Sequence, residues 1–378
     1  MIIDEEHVEL TTEQEVNAAH RPAYRPPALP VIHLMSPREG SVTNPLQQFL
    51  WTNGRVEPRP VSEGQSGPWQ SVQPGDDHSL PRPVLFAWQI PDLFGVIGSS
   101  ALHYDLEIYP IETSSEKIWV RDLTQPLAEV ENLRIGTEYR WKVTAFLENG
   151  TPVAESAAEL FFTHPETPRW IHVPGVTNVR DLGGWPLPGG RRIRQGMIFR
   201  GSEMNSHCEI TAQGRQVMED TLGVRTDLDL RGVGEDRRAV LDARKVEYIN
   251  LPVNSYGMIA HPEFTGRYRA LFRLLSMPGT YPLYLHCWGG ADRTGTAAFL
   301  IEALLGMSAE DLALDYELTS LSIWGERLHT QEAYQELLDT LAMYTINGSS
   351  PQVQVEHFLH VIGVTDEEIT DIRGLLIE

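Results

Sequence analysis

The chain is poor in cysteine. Two thiols, Cys208 and Cys287, occur in 378 residues, too few to build a disulfide framework at this length. It also lacks any run of about 18 apolar residues, the length a membrane-spanning helix requires. Basic residues are in deficit: 30 Lys and Arg against 52 Asp and Glu give a net charge of −22. Such a surface repels nucleic acid and anionic membranes at long range, so neither is an expected partner. An anionic ligand would need a local basic patch. The histidines are scattered, and no H-E-x-x-H or C-x-x-C spacing appears, so neither metal nor cofactor is expected. The opening MIIDEEHVEL has no apolar secretion core. The expectation is a cytoplasmic protein, or an exported one whose signal was removed.

What is present falls into two textures. Residues 1–30 are polar and then proline-rich, which reads as an extended arm. From 31 to 165 the pattern is short strands and turns: PVLFAWQI, HYDLEIYP, KIWVRDL and EYRWKVTAF are rich in β-formers. In the last, Tyr139, Trp141, Val143 and Ala145 share one face and Arg140, Lys142 and Thr144 the other, the period of a strand with one buried side. Leu133, six residues before Tyr139, completes a pattern similar to the tyrosine corner of fibronectin type III and immunoglobulin-like sandwiches. The polar stretch near 52–83 reads as a long inserted loop. Beyond a linker at Phe162–Trp170, strand-like runs alternate with helical ones. GMIFRG, VRTDLDL, VEYINLPV and YPLYLHC imply βαβ units and a mostly parallel sheet. Helices are expected at TAQGRQVMEDTLG, at PEFTGRYRALFRLLSM and through most of the chain after Gly306. The fold class expected is multidomain: an all-β sandwich followed by a three-layer α/β domain over 168–378.

The chemistry concentrates in LHCWGGADRTG, Leu285–Gly295. A buried strand precedes it and a helix with small residues in its first turns follows. The loop therefore lies at a strand's carboxyl end, against a helix N-terminus, where α/β folds bind anions. Backbone N–H groups of Trp288, Gly289, Gly290, Ala291, Asp292 and Arg293 can curl inward as a nest for phosphate oxygens. Gly289 and Gly290 permit the positive φ such a curl needs, and Arg293 adds a planar fork for two oxygens. The same field favours the thiolate of Cys287, the nucleophilic form. Thr294 can donate a hydroxyl to that sulfur, and His286 can fix the loop from behind. A buried, inert cysteine in a glycine turn is the competing reading. It accounts for Cys287 but not for the Cys, five residues, Arg, Thr, Gly pattern between strand and helix.

His286-Cys287, five residues, Arg293-Thr294 resembles the signature of cysteine-dependent tyrosine phosphatases. NVRDLGG (Asn178–Gly184), GMIFRGSEMN (Gly196–Asn205), DLDLRGVGED (Asp227–Asp236) and the C-terminal FLHVIGVTDEEITDIRGLL are similar, in order and spacing, to the bacterial tyrosine phosphatase family that carries N-F-R-D-L-G-G and H-C-x-x-G-K-D-R-T-G. The resemblance covers about 168–378 and implies hydrolysis of phosphomonoesters, phosphotyrosine foremost, through a cysteinyl-phosphate intermediate with inorganic phosphate as product. It implies that Asp181 and Arg180 sit beside the cradle, with a buried ion pair holding a turn as the alternative. Arg231 and Arg200 are read as supports at the same sheet edge.

Two positions depart from the family. Its signature lysine is Ala291 here, which argues against a highly charged phosphoinositide headgroup. The loop after YINLPV, where many tyrosine phosphatases carry their acid, reads NSYGMIAHPEF and has no aspartate. Asp292 is the expected general acid, with helix capping as its alternative role and Glu263 and His261 as weaker substitutes. Cys208 is either a resolving thiol or incidental, Trp288 a pocket wall or core, and Asn178 a turn cap. An inositol phosphate or phosphoinositide phosphatase, and an inactive module binding phospho-ligands, are the alternative functions. The sandwich is open to contact with protein or carbohydrate.

Overall fold

The computed structural model describes residues 29–49, 75–90, 101–112, 116–345 and 348–378. The expected N-terminal arm, apart from residues 29 and 30, and the 52–74 part of the expected insertion lie outside them.

The N-terminal half is all β. Strands β1 (His33–Ser36), β2 (Ser41–Val42), β3 (Val84–Gln89), β4 (Leu102–Pro110), β5 (Ile118–Leu123), β6 (Leu127–Val130), β7 (Glu138–Leu147), β8 (Pro152–Glu155) and β9 (Glu159–Phe162) form two sheets. One has the order β1-β3-β6. The other runs β2-β9-β7-β4-β5, with β8 paired to β7. Alternation decides which side is dry: Tyr139, Trp141, Val143 and Ala145 of β7 are buried, while Glu138 and Arg140 are exposed. The sheets meet through aromatic rings. Phe86 of β3 stands edge-on to Trp141 at 5.0 Å and to Phe161 of β9 at 5.5 Å. Offset and edge contacts of this kind add to the burial of large rings. The Tyr139 hydroxyl accepts from the Arg134 N–H at 2.9 Å, closing the corner before β7.

The C-terminal half is a mixed sheet between helical layers. Its strands are β10 (Arg169–Trp170), β11 (Arg180–Asp181), β12 (Ile198–Gly201), β13 (Thr226–Asp229), β14 (Glu247–Asn250) and β15 (Leu283–His286). They lie in the order β10-β11-β12-β15-β13-β14. The four strands β12, β15, β13 and β14 are parallel, and the two short strands at the other edge are antiparallel. Helices are α1 (Ala212–Gln216), α2 (Pro262–Leu275), α3 (Asp292–Leu305), α4 (Ala309–Leu318), α5 (Glu332–Ala342), α6 (Pro351–Val361) and α7 (Asp366–Leu376). Thr211 caps α1 and Ser308 caps α4, each accepting the N–H three residues on. These are the side chains expected at such positions. The central α3 is buried from Thr294 to Leu305 and ends at Gly306, whose φ of 98° suits a left-handed cap. Its small first-turn residues let it approach the sheet closely.

The two halves are stitched by backbone-directed bonds. Gln195 and Ile135 exchange two of them, at 2.8 and 3.0 Å. Arg169 donates to the carbonyls of Asn132 and Leu133.

Trp141→Ala empties a site with no exposed surface and should cost about 3–5 kcal/mol. Trp119 on the sheet edge is 43% exposed, and its replacement by alanine should change stability by about 0.5 kcal/mol or less. Unfolding of both variants in denaturant tests this, and equal losses would contradict the packing described.

Candidate functional site

Strand β15 lies between β12 and β13, with Gly201, His286 and Asp229 in register at their carboxyl ends. Its side chains alternate. Leu283, Leu285 and Cys287 join the core on the α3 side, and Tyr284 belongs to the core on the opposite face. His286 stacks on Tyr284 at 5.4 Å. The strand's period of two thus sets Cys287, 3% exposed, at the base of the loop that leads into α3.

That loop is shaped by where its carbonyls go. The Trp288 carbonyl accepts from the Glu203 N–H at 3.0 Å. The Gly289 carbonyl accepts from Asn178 Nδ2 at 3.1 Å, the Gly290 carbonyl from Arg200 Nη2 at 2.8 Å, and the Ala291 carbonyl from the Gly295 N–H at 2.9 Å. Three successive carbonyls are tied to donors outside the loop, and the fourth begins the hydrogen bonding of α3. Among the described residues no N–H from Trp288 to Arg293 has a protein acceptor. Such an arrangement of unpaired donors at a helix N-terminus can receive an oxyanion as a nest. Only Gly290 of the two glycines has positive φ, at 69°, and a Cβ there would lie 2.4 Å from the Gly201 carbonyl oxygen. Gly289 is small for another reason: the indole of Trp324 packs against it, 3.2 Å from where a Cβ would stand.

Arg293 is gripped by a carboxylate. Its Nη1 and Nη2 donate to the two oxygens of Glu235 at 2.6 and 2.8 Å. Burial opposes its charge, but Glu235 and the Cys287 sulfur more than compensate and raise its pKa. Glu235 in turn is held below the usual carboxylate range: burial opposes this, while Arg293, the Gly232 N–H and Arg231 favour the charge. An end-on pair of this kind leaves three of the five guanidinium N–H donors for a ligand. The Thr294 hydroxyl is buried without a protein partner.

Asp292 is the first residue of α3, and Ala291 occupies the cap position. The carboxylate is therefore not capping the helix. Its Oδ1 accepts from the Tyr256 hydroxyl at 2.5 Å and lies 3.6 Å from Arg327 Nε. Tyr256 comes from the NSYGMIAHPEF loop, has a φ of 55° and bonds through its N–H to Thr296 Oγ1 at 3.1 Å. A left-handed bulky residue is a strained one and is kept only where its surroundings fix it. Its hydroxyl also meets that of Tyr316 at 3.0 Å. Burial, Tyr316 and Asp292 all push its pKa far up, so it remains a neutral donor.

Adjacent residues of β11 point to opposite faces. Arg180 reaches Asp315 of α4 at 2.7 Å and Asn178 Oδ1 at 2.6 Å, so it braces the loop through Asn178. Asp181 faces the other way, holding Arg169 at 2.8 Å and the N–H groups of Gly183 and Gly196. It is the buried ion pair at a turn, not a neighbour of the nest. Arg200 also binds Asp315, at 2.6 Å. Burial, then the like charge of Arg180, pushes the Arg200 guanidinium down to about 10. Burial opposes the charge on Asp315, yet the two arginines hold its pKa below the ordinary value. Arg231 is consumed by Asp229, Glu203 and Asn205, which makes it a support. His286 Nε2 sits 2.9 Å from Asp227. Burial disfavours its charge, but the carboxylates of Asp227 and Asp229 win and raise its pKa. The indole of Trp288 donates to His207 at 2.6 Å and packs 4.3 Å from Trp324, forming an aromatic wall beside the nest. Cys208 bonds Ser202, and burial pushes its thiol up. His261 caps α2, and Glu263 faces solvent. Among the described residues no group of three His, Cys, Asp or Glu side chains could hold a metal ion, and no helix is long and apolar enough to cross a membrane.

The profile of the tyrosine phosphatase family matches residues 171–378, more than half of the chain. The chain belongs to the tyrosine phosphatase family. A protein of Cupriavidus necator named "Putative tyrosine-protein phosphatase" is 29% identical over 166 residues. The match takes in 37% of this chain and spans 59% of that relative's length. Two solved structures overlap more loosely. The core catalytic domain of the PP-IP phosphatase SIW14 from S. cerevisiae, solved with citrate, has 15% identity and a TM-score of 0.26, over 32% of this chain and 71% of that one. A second Siw14 catalytic core has 13% identity and a TM-score of 0.28, over 43% and 88%.

Glu235, Tyr256, Asp315 and Trp324 were not singled out by the sequence. Glu235 lies inside DLDLRGVGED with nothing to mark its role, and Asp315 is visible only as an acid in the apolar stretch LALDYEL. Nothing marked Tyr256 except its place in the loop that lacks an aspartate.

Gly290→Ala should weaken tungstate binding by about 5- to 150-fold, the equivalent of about 1–3 kcal/mol of backbone strain. Gly289→Ala, which meets only an indole edge, should weaken it less. Calorimetric titration of both variants measures this, and the reverse order would refute the loop geometry.

Proposed function

We propose that this protein is a phosphatase that hydrolyses phosphomonoesters, phosphotyrosine foremost, with Cys287 as nucleophile. The observation that carries the reading is the nest of unpartnered N–H groups between Cys287 and Arg293. The phosphoryl oxygens are received by the N–H groups from Trp288 to Arg293 and by the free edge of the Arg293 guanidinium. The Cys287 thiolate attacks phosphorus, the P–S bond forms and the P–O bond to the leaving group breaks. Asp292 gives its proton to the leaving oxygen, then takes one from the water that cleaves the P–S bond and releases phosphate. Tyr256 holds the carboxyl group at the rim for both steps. Thr294, its hydroxyl uncommitted, donates to the sulfur as it departs. His286 and Arg231 hold the strand ends beneath.

The aromatic wall of Trp288, Trp324 and His207 favours an aryl leaving group, and Ala291 in place of a lysine disfavours a headgroup bearing several phosphates. We read the N-terminal half, residues 31–165, as a fibronectin type III or immunoglobulin-like domain. The Tyr139 corner and the two facing sheets support that reading. Residues 168–378 are then the catalytic domain.

Cys287→Ser should lower turnover of p-nitrophenyl phosphate by about 10⁴-fold or more. Activity at the level of the unmodified protein would eliminate the mechanism. A panel of phosphotyrosine peptides, phosphoserine peptides and inositol phosphates decides the substrate class. Preference for the last would replace phosphotyrosine, and phosphopeptide binding without turnover would leave a binding module. Asp292→Asn should cost about 10²–10⁴-fold on an alkyl phosphate, whose leaving group needs the proton, and clearly less on p-nitrophenyl phosphate. Equal losses would move the acid elsewhere.

A further inference from the structure

We propose that Ser79, carried by the N-terminal half, is a positioning residue for the oxyanion nest, so that the β-sandwich is a working part of the site. The inference rests on the reading of the nest given above. Ser79 lies in the described end of the 52–83 insertion, ahead of β3, and is 1% exposed. Asp77 Oδ1 accepts both its N–H, at 2.9 Å, and its hydroxyl, at 2.5 Å. The hydroxyl proton is thereby committed, and the Ser79 oxygen turns a lone pair to the N–H of Asn178 at 3.0 Å.

Asn178 needs that partner. Its φ of 61° lies in the left-handed region, which asparagine enters more readily than most residues but at a cost. In this pose its side chain spans two elements. Nδ2 donates to the Gly289 carbonyl at 3.1 Å, and Oδ1 accepts from Arg180 at 2.6 Å. Three residues therefore lead from the sandwich to the nest: Ser79, Asn178, Gly289. A second route starts one residue earlier. The His78 N–H donates to the Leu321 carbonyl at 2.7 Å, at the end of the turn Thr319–Leu321. The chain from that turn continues to Trp324, the ring that packs on Gly289. Both routes converge on one glycine whose neighbouring N–H groups face the anion.

A bond that merely joins the two halves would affect stability alone. A bond that sets Asn178 should affect the anion. In the full chain, Ser79→Ala should weaken tungstate binding by about 3- to 10-fold, the range expected for one lost hydrogen bond, and lower kcat/KM for p-nitrophenyl phosphate by a similar factor. Combined with Asn178→Ala it should add nothing to the loss caused by Asn178→Ala alone, because the two act in series. Asp77→Asn, which keeps the serine and loosens only its orientation, should shift tungstate affinity in the same direction by less, and it serves if Ser79→Ala does not fold. Unchanged affinity in the folded serine variant, or additive losses in the pair, would overturn the proposal while leaving the nest intact. Absence of tungstate binding by the unmodified protein would refute the nest and the proposal together.

Discussion

The loop from Trp288 to Ala291 is held open by the outward pull on its carbonyls. A free peptide of this sequence has no reason to aim successive N–H groups at one point, since their partial charges repel. Here the first three carbonyls are each captured by a donor from a different part of the chain, and the Ala291 carbonyl by the first turn of α3. Glu203 contributes a backbone N–H, Asn178 a side-chain amide and Arg200 a guanidinium. Fixing the oxygens on the outside fixes the hydrogens on the inside. The ordering entropy is lost during folding, so binding an anion reorganises little.

These captors are themselves anchored in buried ionic structure. Asp315 holds Arg180 and Arg200 together, and Glu302 lies beneath them, fully buried. Burial and the charge of Asp315 push Glu302 well above the ordinary carboxylate range, against the pull of both arginines. Its charged form is thereby disfavoured. Two cations against one ionised carboxylate cost more to bury than hydrophobic packing would. What the cluster supplies in return is a rigid angle for Arg200 against the Gly290 carbonyl, which a leucine core could not give.

The sequence was legible where chemistry is local. Cys287, Gly290, Arg293 and Thr294 lie within eight residues, and a strand before them and a helix after them follow from period and small-residue content. The sandwich strands were legible for the same reason, from alternation such as that at Tyr139, Trp141 and Val143. What stayed hidden is long-range pairing. Glu235 meets Arg293 across 58 residues, Asp315 meets Arg180 across 135, and Ser79 meets Asn178 across 99. No period encodes such meetings. Arg180 and Asp181 illustrate a finer limit. The motif made them a pair beside the loop, but alternation along β11 turns them to opposite faces, and only Arg180 reaches the nest's supports.

The side-chain charges around the nest largely cancel. Arg293 is matched by Glu235. Arg180 and Arg200 exceed Asp315 by one positive charge, while Asp229 and Glu203 exceed Arg231 by one negative charge. In a chain of net charge −22, attraction for an anion then rests on the oriented N–H groups and the α3 terminus. That field is short-ranged and falls off within a helical turn. It suits one phosphoryl group seated in the loop and gives little purchase to further phosphates outside it. A lysine at 291 would extend the positive field outward, and Ala291 does not. For the phosphatase proposed above, a preference for one phosphoryl group would follow from where the charge is located rather than from how much of it there is.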